Sequence, residues 1–562
     1  MFSIVSNLKK KPFKSKIRLS VIYSPETFLF EFLKFFFGNK PNSGSIKMLL
    51  EKFKSQWAIC LLLLVVPLLH VWIGTGDFYI ADSLLKAMQT ESLIQNDFKS
   101  EELRYPARLI DQEHRNFFLS YHFVGDIQGK FIGAFPLAFS VLTSLIKKTG
   151  IGWNLFPFLL SLSLVLSFYI LASKKLIAQK TVILGYGATI LSALSLDFNE
   201  YTLYFLLNTF GFVWWMNFRE SRNAKWIYLS VFAISLSIWL RLESSPFLVS
   251  LLIAEILTSK SKLKELSKEF NFFLIFLSLS PAIFFLVWNY FDYGHILGAR
   301  FIFNFGKNEI TILDRIQNFF SMTFVNYADG IPKFGLFFCS SFLLLPIVYY
   351  LFFKKERTEK ENFLILLCGS YAVLIGASAP NDGITITGRY LMSVLLPLLV
   401  LWDGWIIPHS KIWKYLSVVL IVLSFLISGL TLKIFQQAAN QERNFRQFYA
   451  RNEAPLWVFT DPILCGQAGL EHLSRKILCL NAKTNVDSIL KNINNESSIS
   501  SLVLFEMSEK EMKAFEGKNS LDFFPSKKID LKERLLEIFN KKEEPVLYKG
   551  IVATTFFREN KR

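Results

Sequence analysis

Cysteine is scarce in this chain, five residues in 562, and so is charge: Asp, Glu, Lys and Arg make up 19%, against about a quarter in an ordinary soluble protein. The first scarcity argues against a secreted domain stapled by disulfides, because Cys60, Cys339 and Cys368 fall inside apolar runs, where a thiol is a small hydrophobe. Only Cys465 and Cys479 could meet as a disulfide, and spacing does not decide whether they do. The second scarcity, beside 52% hydrophobic residues and 59 Phe, excludes a disordered chain, and 27 Gly are too few for collagen. Acids are the scarcer sign. A net charge of +17 would point to nucleic acid in a soluble protein, but among long apolar runs Lys and Arg mark the cytoplasmic side of a membrane. No nucleic-acid partner is expected.

What is present is apolar runs. A membrane-spanning helix needs about 20 mostly apolar residues. Runs at 57–73, 153–172, 181–196, 201–218, 226–240, 244–258, 270–289, 334–353, 362–379, 390–407 and 415–432 meet or approach that length, giving about eleven candidate spans. A twelfth, 132–146, is short and interrupted by Pro136. If it does not cross and the basic N-terminus is inside, the cytoplasmic loops carry sixteen Lys and Arg, while the opposite loops after residue 153 carry six. The charge distribution therefore makes 132–146 an in-plane or re-entrant helix. It puts the loop 74–152 and everything after residue 432 outside, in a cell (inner) membrane protein with its N-terminus in the cytoplasm.

Residues 1–55 form a basic cytoplasmic leader with eleven Lys and Arg against three acids, without the apolar core and cleavage site of a secretory signal. Its aromatic stretch 27–37 could lie on anionic lipid; alternatively translation begins at Met48 and the leader is no part of the protein. The transmembrane domain spans 56–432. From 433 to 562 the composition is that of a small extracytoplasmic α/β domain, with strand-like runs at 456–460, 477–480, 502–505 and 546–557 and helical patterns near 467–474, 484–493 and 508–515. It has no Gly-rich phosphate loop, metal-ligand spacing or nucleophile motif, so a packing or partner-binding role suits it best.

Within the spans the ionisable residues are His70, Glu255 and Asp403, poor equipment for an ion-coupled transporter. Charges of chemical interest stand instead at the external boundary. Asp77, between Gly76 and Phe78 after the first span, could deprotonate a hydroxyl nucleophile or simply cap the next helix; spacing alone favours the cap. Asp82 is a weaker candidate. Asp197 and Glu200 lie at i and i+3 in a short turn and could orient a sugar hydroxyl or hold a divalent cation, or be solvated capping acids. Arg389 opens a late span; with Arg241 and Lys130 it could hold a lipid phosphate, or snorkel to headgroups.

Four segments in this order resemble the GT-C glycosyltransferases, the branch of protein mannosyltransferases and aminoarabinose transferases in particular. They are Gly76-Asp77-Phe78-Tyr79, Lys130 to Leu137 with the helix ending Lys148-Thr-Gly150, Asp197-Phe-Asn-Glu200, and Gly388-Arg389-Tyr390-Leu391 with Pro397. Only one Pro stands where that family often has two, and the second acidic site matches loosely. The resemblance covers roughly 57–407 and implies a mainly α, polytopic transmembrane bundle. It also implies a polyprenyl-phosphate-sugar donor and an acceptor that is a glycan, lipid or protein, with inversion in a single displacement. In that scheme Asp77 is the general base, Asp197 and Glu200 orient substrate or a metal ion, and Arg389, Arg241 and Lys130 bind the lipid phosphate. The segment 290–333, with Tyr293, His295, Arg300 and Lys307, is expected to be an irregular loop closing over the donor. A flippase of lipid-linked sugars would need more polar residues at mid-membrane than this sequence has, and a non-catalytic assembly protein leaves the boundary charges unexplained.

Overall fold

A computed structural model describes residues 55–77, 82–120, 123–259, 271–305, 311–328, 331–380, 386–405, 411–481, 483–510 and 531–558. The leader, the Asp77 side chain, Lys307 and most of the helical pattern 508–515 lie outside the described residues. The chain divides into two units, Met1–Trp57 and Ala58–Arg562, and the fold is that of the second.

Four helices are long and apolar enough to cross a membrane: Trp153–Ser173, Phe272–Tyr293, Glu359–Ser378 and Lys411–Ala450. Shorter apolar helices occupy Trp57–Ile73, Lys225–Ser237, Ser244–Thr258 and Ser341–Phe353. Four of the eleven expected runs are thus full-length apolar helices among the described residues, and four more coincide with the shorter ones. The run 181–196 breaks into Gln179–Gly187 and Leu191–Leu194, and the run 390–407 opens as a 3₁₀ helix, Thr387–Val394, before Leu395–Gly404. Large apolar side chains face outward along the long helices, Phe272, Phe273, Ile412, Tyr415 and Val418 among them. A water-facing surface of this kind would aggregate; this is the surface of an integral membrane protein.

Local sequence sets the helix limits. Thr358 and Glu361 form a reciprocal capping box at the start of Glu359–Ser378, and Thr311 with Asp314 does the same for Ile312–Thr323. Phe272–Tyr293 is capped by the Asn271 side chain and stops at Gly294, whose φ of +74° suits glycine. The helix Tyr201–Ser221 crosses Lys225–Ser237 closely because Gly211 leaves room for Ile234: a Cβ there would stand 2.4 Å from Ile234 Cγ1.

The segment 74–152 is tied to the helices through Ser83 and Lys86, which reach Asp197 and Glu200. It contains the helix Asp82–Gln95, a hairpin of strands β1 (Val124–Ile127) and β2 (Lys130–Gly133), and the helix Leu137–Lys148. At twelve residues, Leu137–Lys148 is about 18 Å long, short of a hydrocarbon core of about 30 Å. The segment 290–333 differs from the irregular loop expected of it. The helices Gly298–Phe305 and Ile312–Thr323 and a hairpin of β3 (Val325–Ala328) and β4 (Ile331–Phe334) fill it.

The longest described helix, Lys411–Ala450, runs 40 residues, about 60 Å. It passes uninterrupted through residue 432, and its last turns enter the core of the C-terminal sheet, where the Tyr449 and Phe505 rings lie 4.7 Å apart. That sheet has the order β6-β5-β7-β10-β8, with β5 (Leu456–Phe459) parallel to β6 (Lys476–Cys479) and β7 (Ser501–Met507). β10 (Ile551–Phe557) runs antiparallel to β7, to β8 (Lys541–Lys542) and to β9 (Val546–Tyr548). Cys465 and Cys479 are joined as a disulfide, which leaves no thiolate to hold a metal with the neighbouring His472. The sheet domain docks on the segment 74–152. Cys479 N–H donates to the Asn116 carbonyl at 2.7 Å, Asn492 Nδ2 to that of Ile110 at 2.8 Å, and the His472 ring lies against Phe117 and Phe118.

Candidate active site

The helix Asp82–Gln95 turns an unusual face inward. Ser83, Lys86 and Gln89, three residues apart, and Thr90, four from Lys86, are all buried. The turn that faces it carries Asp197 and Glu200 at the same spacing, and two rungs form. Ser83 Oγ donates to Asp197 Oδ1 at 2.5 Å, and Lys86 Nζ lies 2.7 Å from Glu200 Oε2. Gln89 Nε2 extends the face by donating to the Phe135 carbonyl at 3.2 Å, at the entrance to the helix Leu137–Lys148.

Glu200 is fully buried and is the hub of this site. Its Oε1 accepts from Arg241 Nη1 at 2.9 Å and lies 3.6 Å from Arg300 Nη1. Burial alone would raise the Glu200 pKa, but Lys86, Arg241 and Arg300 outweigh it and hold the carboxyl down to about 2. Asp197, one helical turn earlier, goes the other way, raised chiefly by burial against the opposing pull of Ser83 and Lys86. Arg241 also pairs with Glu243, and its guanidinium lies 4.2 Å from the Tyr201 ring and 5.7 Å from that of Tyr390. Arg389 is buried; its Nη1 donates to the Ile386 carbonyl at 3.2 Å and its guanidinium lies 5.0 Å from the other partner of Arg241, the Tyr390 ring.

The structure thus gathers Asp197, Glu200 and Arg241 directly, with Arg389 in the same shell through Tyr390. Lys130 belongs to another pair: its Nζ lies 2.5 Å from Asp292 Oδ1. Asp77 is placed by its backbone only, at the end of the 3₁₀ turn Thr75–Asp77. A divalent cation between Asp197 and Glu200 does not fit this charge arrangement, since both Glu200 oxygens face cations at 2.7 to 3.6 Å. Two central cations carried no distinguishing mark in the sequence. Lys86 is a lone lysine in a helix, and only its match in spacing to Asp197 and Glu200 could have indicated it. Arg300 stood out only as one of four polar residues in the segment 290–333.

Arg300 is the group with capacity to spare. Its Nη1 is buried and makes no hydrogen bond, and the side chain lines a cavity of about 160 Å³ together with Glu243, Phe301, Asn304 and Tyr390. It also lines a smaller cavity of about 40 Å³ shared with Arg241, Asn289 and Tyr293. Lys86, Arg241 and Arg300 surround Glu200, and Arg241 also pairs with Glu243; against the effect of burial the cations hold both carboxyls below the ordinary glutamate range, so positive charge predominates here.

A second acid borders the site. Tyr293 Oη donates to Glu101 Oε2 at 2.9 Å, tying the end of Phe272–Tyr293 to the segment 74–152. Burial pushes the Glu101 carboxyl up to about 7, with the Asp292 carboxylate adding to the rise. The folded protein therefore binds the extra proton between about pH 4.5 and 7. That contribution to stability is present at the acid end of the window and declines as pH rises through it. Thermal unfolding measured across this window is expected to show the decline, and Glu101→Gln to flatten it; an equal slope in both proteins would show that Glu101 ionises normally.

Fold and site together define a helical integral membrane protein with a buried, predominantly cationic charge cluster packed against the segment 74–152. No protein-family model matches the sequence, and no curated protein does. Among solved structures the chain is similar to ArnT from Cupriavidus metallidurans bound to undecaprenyl phosphate, at 10% identity and a TM-score of 0.47, over 88% of this chain and 97% of that one. A likeness of that degree assigns no chemistry to this chain.

Proposed function

We propose that the protein is a membrane glycosyltransferase that moves a sugar from a polyprenyl-phosphate donor to an acceptor at the extracytoplasmic face. The observation that carries this reading is the buried Arg300 Nη1, without a hydrogen-bond partner, beside a cavity at the head of an apolar bundle. A guanidinium with unused donors in low dielectric suits a phosphate, and the surrounding apolar helices suit the isoprenoid chain behind it. In the displacement, an acceptor O–H or N–H attacks the anomeric carbon and the bond from that carbon to the phosphate oxygen breaks. Asp77 takes the acceptor proton, and polyprenyl phosphate leaves with the electron pair. Arg300, with Arg241, Lys86 and Arg389 behind it, stabilises the charge that develops on the leaving phosphate. Glu200 holds those cations in place, and Asp197 positions the helix Asp82–Gln95 through Ser83. The disulfide between Cys465 and Cys479 suits an oxidising, extracytoplasmic compartment.

The test uses the full chain in lipid nanodiscs. Undecaprenyl phosphate is expected to raise the unfolding temperature and undecaprenol, its uncharged counterpart, to have little effect. Arg300→Met is expected to weaken the phosphate response about tenfold, the loss of roughly one charged hydrogen bond. Equal responses to the two lipids would refute a phosphate site.

A further inference from the structure

The helix Trp57–Ile73 ends at Gly74, whose φ of +73° lies in the left-handed region and whose N–H takes the His70 carbonyl at 2.8 Å. The carbonyls beyond that point have no partner within their own helix and carry the negative end of its dipole. A residue nearly 370 positions away takes two of them. Arg443, on the 40-residue helix Lys411–Ala450, donates through Nη1 to the Gly74 carbonyl at 2.7 Å and through Nη2 to the Ile73 carbonyl at 3.3 Å. Asn440 Oδ1 accepts from Nη2 at 2.5 Å and fixes the fork, and Gln436 Nε2 donates to the Trp72 carbonyl at 3.2 Å from the same helix face. Gly74 is a socket for this side chain: a Cβ there would stand 1.9 Å from Arg443 Nη1. On its other sides the turn is equally confined. His70 Nδ1 is 2.7 Å from Thr75 Oγ1, and a Cβ on Gly76 would stand 2.5 Å from Asn154 Cβ.

We propose that Arg443 is a positioning residue for the transfer reaction. By closing the last carbonyls of the helix Trp57–Ile73 it fixes the turn Thr75–Asp77. The extramembrane end of the long helix, with the sheet folded around its last turns, then determines where the base stands. This inference rests on the reading of Asp77 as the base, and the two are tested separately. Thr75 is buried, so in the full chain carrying Thr75→Cys a membrane-impermeant maleimide reports opening of the turn, with the chain lacking that cysteine as background. Arg443→Met is expected to raise the labelling rate about tenfold or more, the loss of two charge-assisted hydrogen bonds on local opening, and Arg443→Lys by less. The response to undecaprenyl phosphate is expected to persist in both, showing that the fold is intact, while the glycan product falls with Arg443→Met and is partly restored with Arg443→Lys. An unchanged labelling rate in Arg443→Met with the lipid response intact overturns the proposal. Should Arg443→Met not accumulate, Asn440→Leu, which frees the fork, carries the same expectation and the same refutation. Full product from Asp77→Asn removes the base and not the clamp, since labelling reads the turn without reference to catalysis.

Discussion

Glu200→Gln is expected to destabilise the protein by about 3–5 kcal/mol, the scale of breaking a buried ion pair from one side. The amide keeps the shape and removes the charge. Arg241 retains Glu243, but Lys86, buried with its ammonium 4.7 Å from the Phe135 ring, loses the carboxylate at 2.7 Å that compensates it. Three cations then face one another across the space Glu200 held. Thermal unfolding of the full chain in detergent would show the loss, and an unfolding temperature equal to the parent's would mean that the cluster is solvated. The pH dependence has a definite sign. Because the folded-state pKa of Glu200 is depressed to about 2 from an ordinary 4.5, its contribution is present above about pH 4.5 and is lost only as pH falls toward 2. Mild acid therefore does not imitate the substitution.

The second large effect is on rate. Asp77→Asn is expected to reduce sugar transfer about a hundredfold or more, within the range attributed to a positioned general base, while membrane insertion and the response to undecaprenyl phosphate stay as in the parent. With the sugar and acceptor open, the practical readout is mass spectrometry of surface glycans and glycoproteins in a deletion strain complemented by each variant. Full restoration of the glycan profile by Asp77→Asn would eliminate the proposed base. An unchanged profile in the deletion strain itself, with an altered distribution of carrier lipid across the membrane, would favour a flippase.

The parts of the site visible in the sequence were those encoded locally. Asp197 and Glu200 declare themselves as an i, i+3 pair in a short turn, and Arg241 and Glu243 as charges too costly for mid-membrane between two short apolar runs. Lys86 gives no such signal, because what makes it notable is a partner 114 residues away. Of the two helices inside 290–333, Ile312–Thr323 was legible, since Thr311 and Asp314 have the spacing of a capping box, whereas Gly298–Phe305 begins on a glycine and carries no such mark. Strand positions in the C-terminal domain followed from short apolar runs, whereas its connection to the membrane did not. Composition changes sharply at residue 432, but the helix runs unbroken through it to Ala450.

That unbroken helix imposes a phase constraint. Each residue inserted or deleted in it rotates everything beyond by about 100° and shifts it by about 1.5 Å. A single insertion between Leu432 and Gln436 would swing Arg443 away from Gly74 and, in one stroke, carry the sheet domain that follows the helix off its docking contacts with Asn116 and Ile110. Substitutions along its lipid-facing side leave both attachments in register. The helix can drift in sequence where it meets lipid, while its length is fixed to the residue.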